Sequence, residues 1–191
     1  LINHVEVFQN KPAILKKVEA RLNKLKEAMA IELVSCASQL PPNTDIENGQ
    51  IARGENNNGF PFLSLDIPQN FSKTEMYTYR TLFWWGHYLG FSLILKGEKL
   101  KTYFERLSKH YNAPPFLDVY LSITPTPWEW HQDEKYFIPV SHQQVWAKKL
   151  NILNHMKIMR FHSISDESFK RLDWTQAGLN FWRDMAPVCL G

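Results

Sequence analysis

Residues Arg80 to Lys96 read Arg-Thr-Leu-Phe-Trp-Trp-Gly-His-Tyr-Leu-Gly-Phe-Ser-Leu-Ile-Leu-Lys, the longest apolar run in the chain. A membrane-spanning helix needs about 18–20 apolar residues. This run is shorter, carries His87 and is closed by charge at both ends, so no membrane span is expected. As a strand it sorts by parity: Phe83, Trp85, His87, Leu89, Phe91, Leu93 and Leu95 share one bulky face. Trp84, Gly86, Tyr88, Gly90, Ser92, Ile94 and Lys96 share the other, where the two glycines leave room for a backbone or a ligand. Fully extended, the run would reach roughly 50 Å, against a radius of gyration of about 16 Å for a chain of this size. The spacing therefore predicts a bend near Gly86, with a clean strand over Tyr88 to Lys96. A helix over Thr81 to Leu89 is the competing reading, because short apolar runs fit both periods.

Around this centre the chain has 191 residues, enough for one domain with its own core and no need of a metal or disulfide. Net charge is +3 and aromatic content 14%, so the interior should be rich in rings. Cys36 and Cys189 are the only cysteines and lack metal-ligand spacing. One pair is not a disulfide framework, and an intracellular, cytoplasmic setting is expected. No signal-peptide pattern is visible, and a start at Leu1 instead of Met leaves a processed N-terminus open.

In chain order, Val5 to Phe8 reads as a short strand or entry segment, and Asn10 with Pro12 as the start of a helix reaching about Ser38. Ile14, Leu15, Val18, Leu22, Leu25, Met29 and Leu33 form its apolar stripe. Its other face carries Lys11, Lys16, Lys17, Arg21, Lys24 and Lys26, interrupted by Glu19, Glu27 and Glu32. This is a solvated face, or a surface for an acidic partner. No nucleic-acid motif accompanies it, so nucleic acid is not an expected partner.

Asn43 to Gly59 reads as a polar loop. Its two glycines, Gly54 and Gly59, do not make a phosphate loop, since Phe60-Pro61 follows in place of Lys-Ser/Thr. A strand is expected over Phe60 to Ile67, ended by Pro68. Ser72 with Glu75 suggests a capping box opening a short helix at Lys73. Helices are expected over Glu98 to Tyr111, from Ser141 to about Leu150, and from Asp173 through Met185. Strands are expected over Phe116 to Thr124 and Met156 to Ile164. The sum is one α+β domain, a mainly antiparallel sheet packed against several helices.

The segment with chemical character is Trp128-Glu129-Trp130-His131-Gln132-Asp133-Glu134. His131 and Asp133, two apart on an extended chain, point to the same side and can share a metal. A distal histidine would complete a two-His-one-carboxylate face for Fe(II). His142, His155 and His162 follow, and His162 is best placed because it falls on an expected strand. Trp130-His131-Gln132-Asp133 resembles the metal-binding segment of the phytanoyl-CoA-type, 2-oxoglutarate-dependent dioxygenases. That resemblance implies Fe(II) and 2-oxoglutarate. It is confined to this segment: the family expects a longer interval to the second histidine and then a basic residue, for which only Lys170 and Arg171 are loosely placed. The competing reading is a surface loop whose indoles pack down while its charges stay in water.

The functional expectation is a domain that binds a small ligand or a protein partner without evident catalysis. Its pocket is expected near Gly86 to Gly90, roofed by the Asn-rich and Trp-rich loops, with Arg53, His87, Tyr88, Trp128 and Trp130 as ligand contacts. The alternative is a metal-dependent enzyme using His131, Asp133 and His162. No cofactor is assigned.

Overall fold

The computed structural model describes residues 5–190. The apolar run makes its bend by reversing completely. Strand β3 (Met76–Trp84) and strand β4 (Tyr88–Lys96) form a hairpin whose turn holds Gly86 at φ 77°. Trp84 pairs with Tyr88 and Phe83 with Leu89, so odd and even positions keep their faces through the turn. Phe83, Leu89, Phe91, Leu93 and Leu95 meet the main core, whereas Leu82, Trp84, Tyr88 and Ile94 meet a smaller cluster behind the sheet. Two residues depart from the parity reading: His87 sits in the turn, stacked on Trp84 instead of joining the bulky face, and Trp85 only borders the main core. A helix over Thr81 to Leu89 does not form.

Seven strands make one sheet in the order β1-β2-β3-β4-β7-β5-β6, with every pairing antiparallel. The remaining strands are β1 (Gln50–Asn57), β2 (Phe60–Phe71), β5 (Tyr120–Ser122), β6 (Phe137–Pro139) and β7 (Met156–Ser163). Helices α1 (Val5–Val34), α2 (Leu100–His110), α3 (Gln143–Trp146) and α4 (Trp174–Cys189) complete the regular structure. The α+β architecture matches the sequence expectation. No described helix is long and apolar enough to cross a membrane.

Several local readings are corrected. Helix α1 already runs from Val5 and passes through Pro12, and it ends at Val34, followed by a short 3-10 turn at Ala37–Gln39. The polar stretch after Asn43 is not loop throughout: β1 pairs with β2 through backbone bonds that side-chain polarity does not report. The Asn58-Gly59 turn, with φ 51° and 88°, is the two-residue hairpin such a dipeptide favours. Strand β2 continues past Pro68 to Phe71 with a register shift after Asp66. Ser72 and Glu75 close the β2–β3 turn and open no helix. The Ser72 hydroxyl accepts from the Glu75 amide as in a capping box, but the Ser72 amide donates to the Glu75 carbonyl. Strand β5 is short because Pro114–Phe116 forms a 3-10 turn and Leu117 is exposed. Ser141 does not cap α3, which starts after His142 and continues as a 3-10 turn over Ala147–Ile152. Asp173 does cap α4, accepting from the Thr175 and Gln176 amides at 2.9 and 3.1 Å.

Helices α1 and α4 cover one face of the sheet and touch each other closely at Gly178. A β-carbon there would lie 2.7 Å from Leu25 Cδ1 and 3.1 Å from the Tyr79 hydroxyl, which donates to the Gly178 carbonyl. Alanine is the better helix former by about 1 kcal/mol, but overpacking costs roughly 1–3 kcal/mol. Gly178→Ala is therefore expected to lower stability by about 1 kcal/mol in urea denaturation, and a stabilised variant would show that the two helices do not meet at this point.

Candidate functional site

Among the described residues no helix covers the second face of the sheet; the Pro- and Trp-rich chain between β5 and β6 does so instead. Beneath it lies a polar layer set by strand register: Asp66 on β2 pairs with Arg80 on β3, and Arg80 with Ser92 on β4. Arg80 donates twice to the Asp66 carboxylate, at 2.8 and 2.7 Å, and the Thr78 hydroxyl donates to it at 3.0 Å. The guanidinium lies 4.8 Å from the Trp128 ring centre and 5.6 Å from that of Trp130.

Lys157, on β7, is fully buried at 0% exposure. Its ammonium donates to the carbonyls of Pro127 (3.0 Å) and Glu129 and sits 3.9 Å from the centre of the Trp130 ring. Burial lowers its pKa to about 7, with Arg80 pushing the same way and Glu129 opposing. The Tyr88 hydroxyl, its pKa raised chiefly by burial, donates to the Trp130 carbonyl. Expected ligand contacts Tyr88, Trp128 and Trp130 thus do come together, but as fastenings of a loop laid on the sheet.

The space over Gly90 is taken: a β-carbon there would fall 2.0 Å from the Met159 methyl and 3.0 Å from the Tyr88 ring. The cavity expected beside this glycine is therefore filled by side chains. His87 stacks on Trp84 at 3.8 Å and meets Phe60 edge-on at 4.8 Å. Its pKa is lowered by burial and by the nearby His131. Arg53 stands apart, since it pairs across β1–β2 with Leu63, which faces the helices, so it lies on the opposite side of the sheet from the Trp loop. There it is ion-paired with Glu55 at 3.3 Å.

Sheet parity also divides the metal set. His162 pairs with Leu89 on the helix-covered face and meets Phe91 edge-on, its pKa lowered by burial and Arg160 against the opposing pull of Asp118. His131 lies on the other face, 6.2 Å from the Trp84 ring centre. The sheet stands between them, so His131, Asp133 and His162 cannot share an ion in this arrangement. Among the described residues no three His, Cys, Asp or Glu side chains are grouped to hold a metal.

A cleft of about 900 Å³ opens at the β6 edge. Its floor is Tyr120, Phe137 and Ile138; one wall is Gln132 to Lys135 of the Trp loop, and the other carries His142, Val145 and Lys149. The Asp133 carboxylate accepts from the Lys135 amide at 2.8 Å, and its backbone carbonyl accepts from the Tyr136 and Phe137 amides, both at 2.9 Å. These bonds make the wall continuous with β6. The cleft went unread in the sequence because its walls come from separate segments. Lys157 had a signal: a lysine at the parity of Met159 and Phe161 on an apolar strand face. Comparison with known protein families, curated proteins and solved structures found no match.

Lys157 ionises at a lower pH in the fold, about 7, than in the unfolded chain, about 10.4. Between those values the unfolded chain binds the extra proton, so this residue's contribution to stability rises with pH and is lost as pH falls toward 7. Lys157→Met removes that dependence. Urea denaturation at pH 7.5 and 9.5 should show the stability of wild type relative to the variant increasing by roughly 2–3 kcal/mol at the higher pH. Parallel pH dependences would mean that the ammonium is not confined.

Proposed function

We propose that this chain is a small-ligand-binding domain whose site is the cleft beside β6, taking an amphipathic molecule with a flat apolar body and a polar or charged end. The cleft itself carries the reading. Its volume, about 900 Å³, falls within the size range of small-molecule sites. Its floor is aromatic and aliphatic, as such sites require. Charge of both signs on the rim calls for a polar end on that molecule: Lys135, Lys149 and Glu134 make no ion pair among the described residues, whereas Asp133 is turned toward its own loop amide. The reading includes no catalytic step.

The probe is 8-anilinonaphthalene-1-sulfonate, a rigid aromatic anion, followed by fluorescence and by amide shifts in NMR spectra. Saturable binding with shifts at Phe137, Ile138 and Val145 is expected. Val145 is 48% exposed, so Val145→Trp fills the cleft without entering the core. That variant should bind at least about tenfold more weakly, a loss of about 1.4 kcal/mol. Unchanged affinity, or shifts confined to another surface, would overturn the reading.

A further inference from the structure

Helices α1 and α4 lie side by side and run in the same direction, and three contacts fix their register. Arg21 sits over the Trp174 ring at 5.0 Å, Leu25 presses on Gly178, and Arg183 donates to Glu32 at 2.8 and 2.7 Å. The first two contacts share one sequence offset, and the same offset applied to Cys36 lands on Cys189. Each cysteine lies eleven residues beyond the Leu25–Gly178 contact; within α4 that is about three helical turns, which returns Cys189 to the facing stripe. Cys36 follows the end of α1 in a continuing turn, its amide donating to the Leu33 carbonyl at 3.2 Å. Cys189 ends α4.

Both thiols are free and buried, at 7% and 3% exposure. Their surroundings overlap at Tyr77, on which both thiols act. The Tyr77 hydroxyl, which makes no hydrogen bond of ordinary geometry, is pushed upward in pKa by burial, with added influence from Cys189 and Cys36. Burial pushes Cys189 up to about 12, and Cys36 adds to that rise.

We propose that Cys36 and Cys189 are partners in an intramolecular disulfide that staples the last turn of α4 to the end of α1. The oxidant is a small disulfide such as oxidised glutathione. One cysteine, as thiolate, attacks a sulfur of the reagent, releasing reduced glutathione and leaving a mixed disulfide. The second thiolate attacks the protein sulfur of that bond, releases a second reduced glutathione and closes the staple. Two protein thiols are oxidised, one glutathione disulfide is reduced, and the two thiol protons end on the released glutathiones. Burial keeps both thiols protonated, so exchange in the folded chain is slow near neutral pH and faster in mild alkali.

The test exposes the full chain to oxidised glutathione at pH 8.5, in urea below the unfolding transition. The samples are then acid-quenched, denatured, alkylated and weighed. The expected product is monomeric, takes up no alkyl group, carries no glutathione and is about 2 Da lighter than the reduced chain. Digestion should join the peptides holding Cys36 and Cys189, and the product should melt roughly 5–10 °C higher. Cys36→Ser and Cys189→Ser should each stop at a single glutathione adduct with no such rise. Two alkylated thiols, separate adducts on both cysteines, disulfide-linked dimers, or a joined product that melts lower would each overturn the proposal.

Discussion

The ammonium of Lys157 beneath the Trp loop is the contact on which the second face of this sheet depends. The first eight residues of β4 are buried, so both sides of the central hairpin must be covered. Helices cover one side only. A covering loop brings backbone carbonyls into the interior with no ladder to satisfy them, and each unpaired one costs free energy. Lys157 and Tyr88 supply the donors, reaching Pro127, Glu129 and Trp130 from two neighbouring strands. The faces of Trp128 and Trp130 then lie against Arg80 and Lys157, so rings that exclude water also offset part of the cost of burying charge there.

This arrangement ties the cleft to the sheet. The loop that Lys157 holds runs directly into the wall formed by Gln132 to Lys135, and the Asp133 carbonyl hands that wall over to β6. Edge strand β6 is also blunted against further pairing: Pro139 has no amide to offer, and the Phe137 amide is already used by Asp133. The open feature at this end of the molecule is thus a concave surface and not a strand edge.

The basic face of α1 is partly absorbed by the fold. Lys11 pairs with Glu55, Arg21 lies on Trp174, and Glu32 is held by Arg183. The last two contacts set the register in which α4 lies against α1, and that register brings the two distant cysteines to the same end of the helix pair.

The sequence by itself determined what depends on local periodicity. It placed the apolar stripe of α1 apart from Ile14, which is exposed, strand β4 at its observed ends, the odd-even sorting of the central hairpin apart from Trp85 and His87, the Asp173 cap and the α+β class. Each follows from neighbours along the chain. The Asn58-Gly59 signal for the β1–β2 hairpin was present but masked by the polarity around it. Tertiary structure alone decided what depends on pairing between distant segments. Whether Ser72 and Glu75 cap a helix or close a turn rests on which strands flank them. Whether His131 and His162 meet rests on which face of the sheet each occupies, and the pairing of His162 with Leu89 puts it on the far side. Arg53 was separated from the Trp loop in the same way, by its pairing with Leu63. Strand register assigns faces across the whole sheet at once, and no short stretch of sequence contains that information.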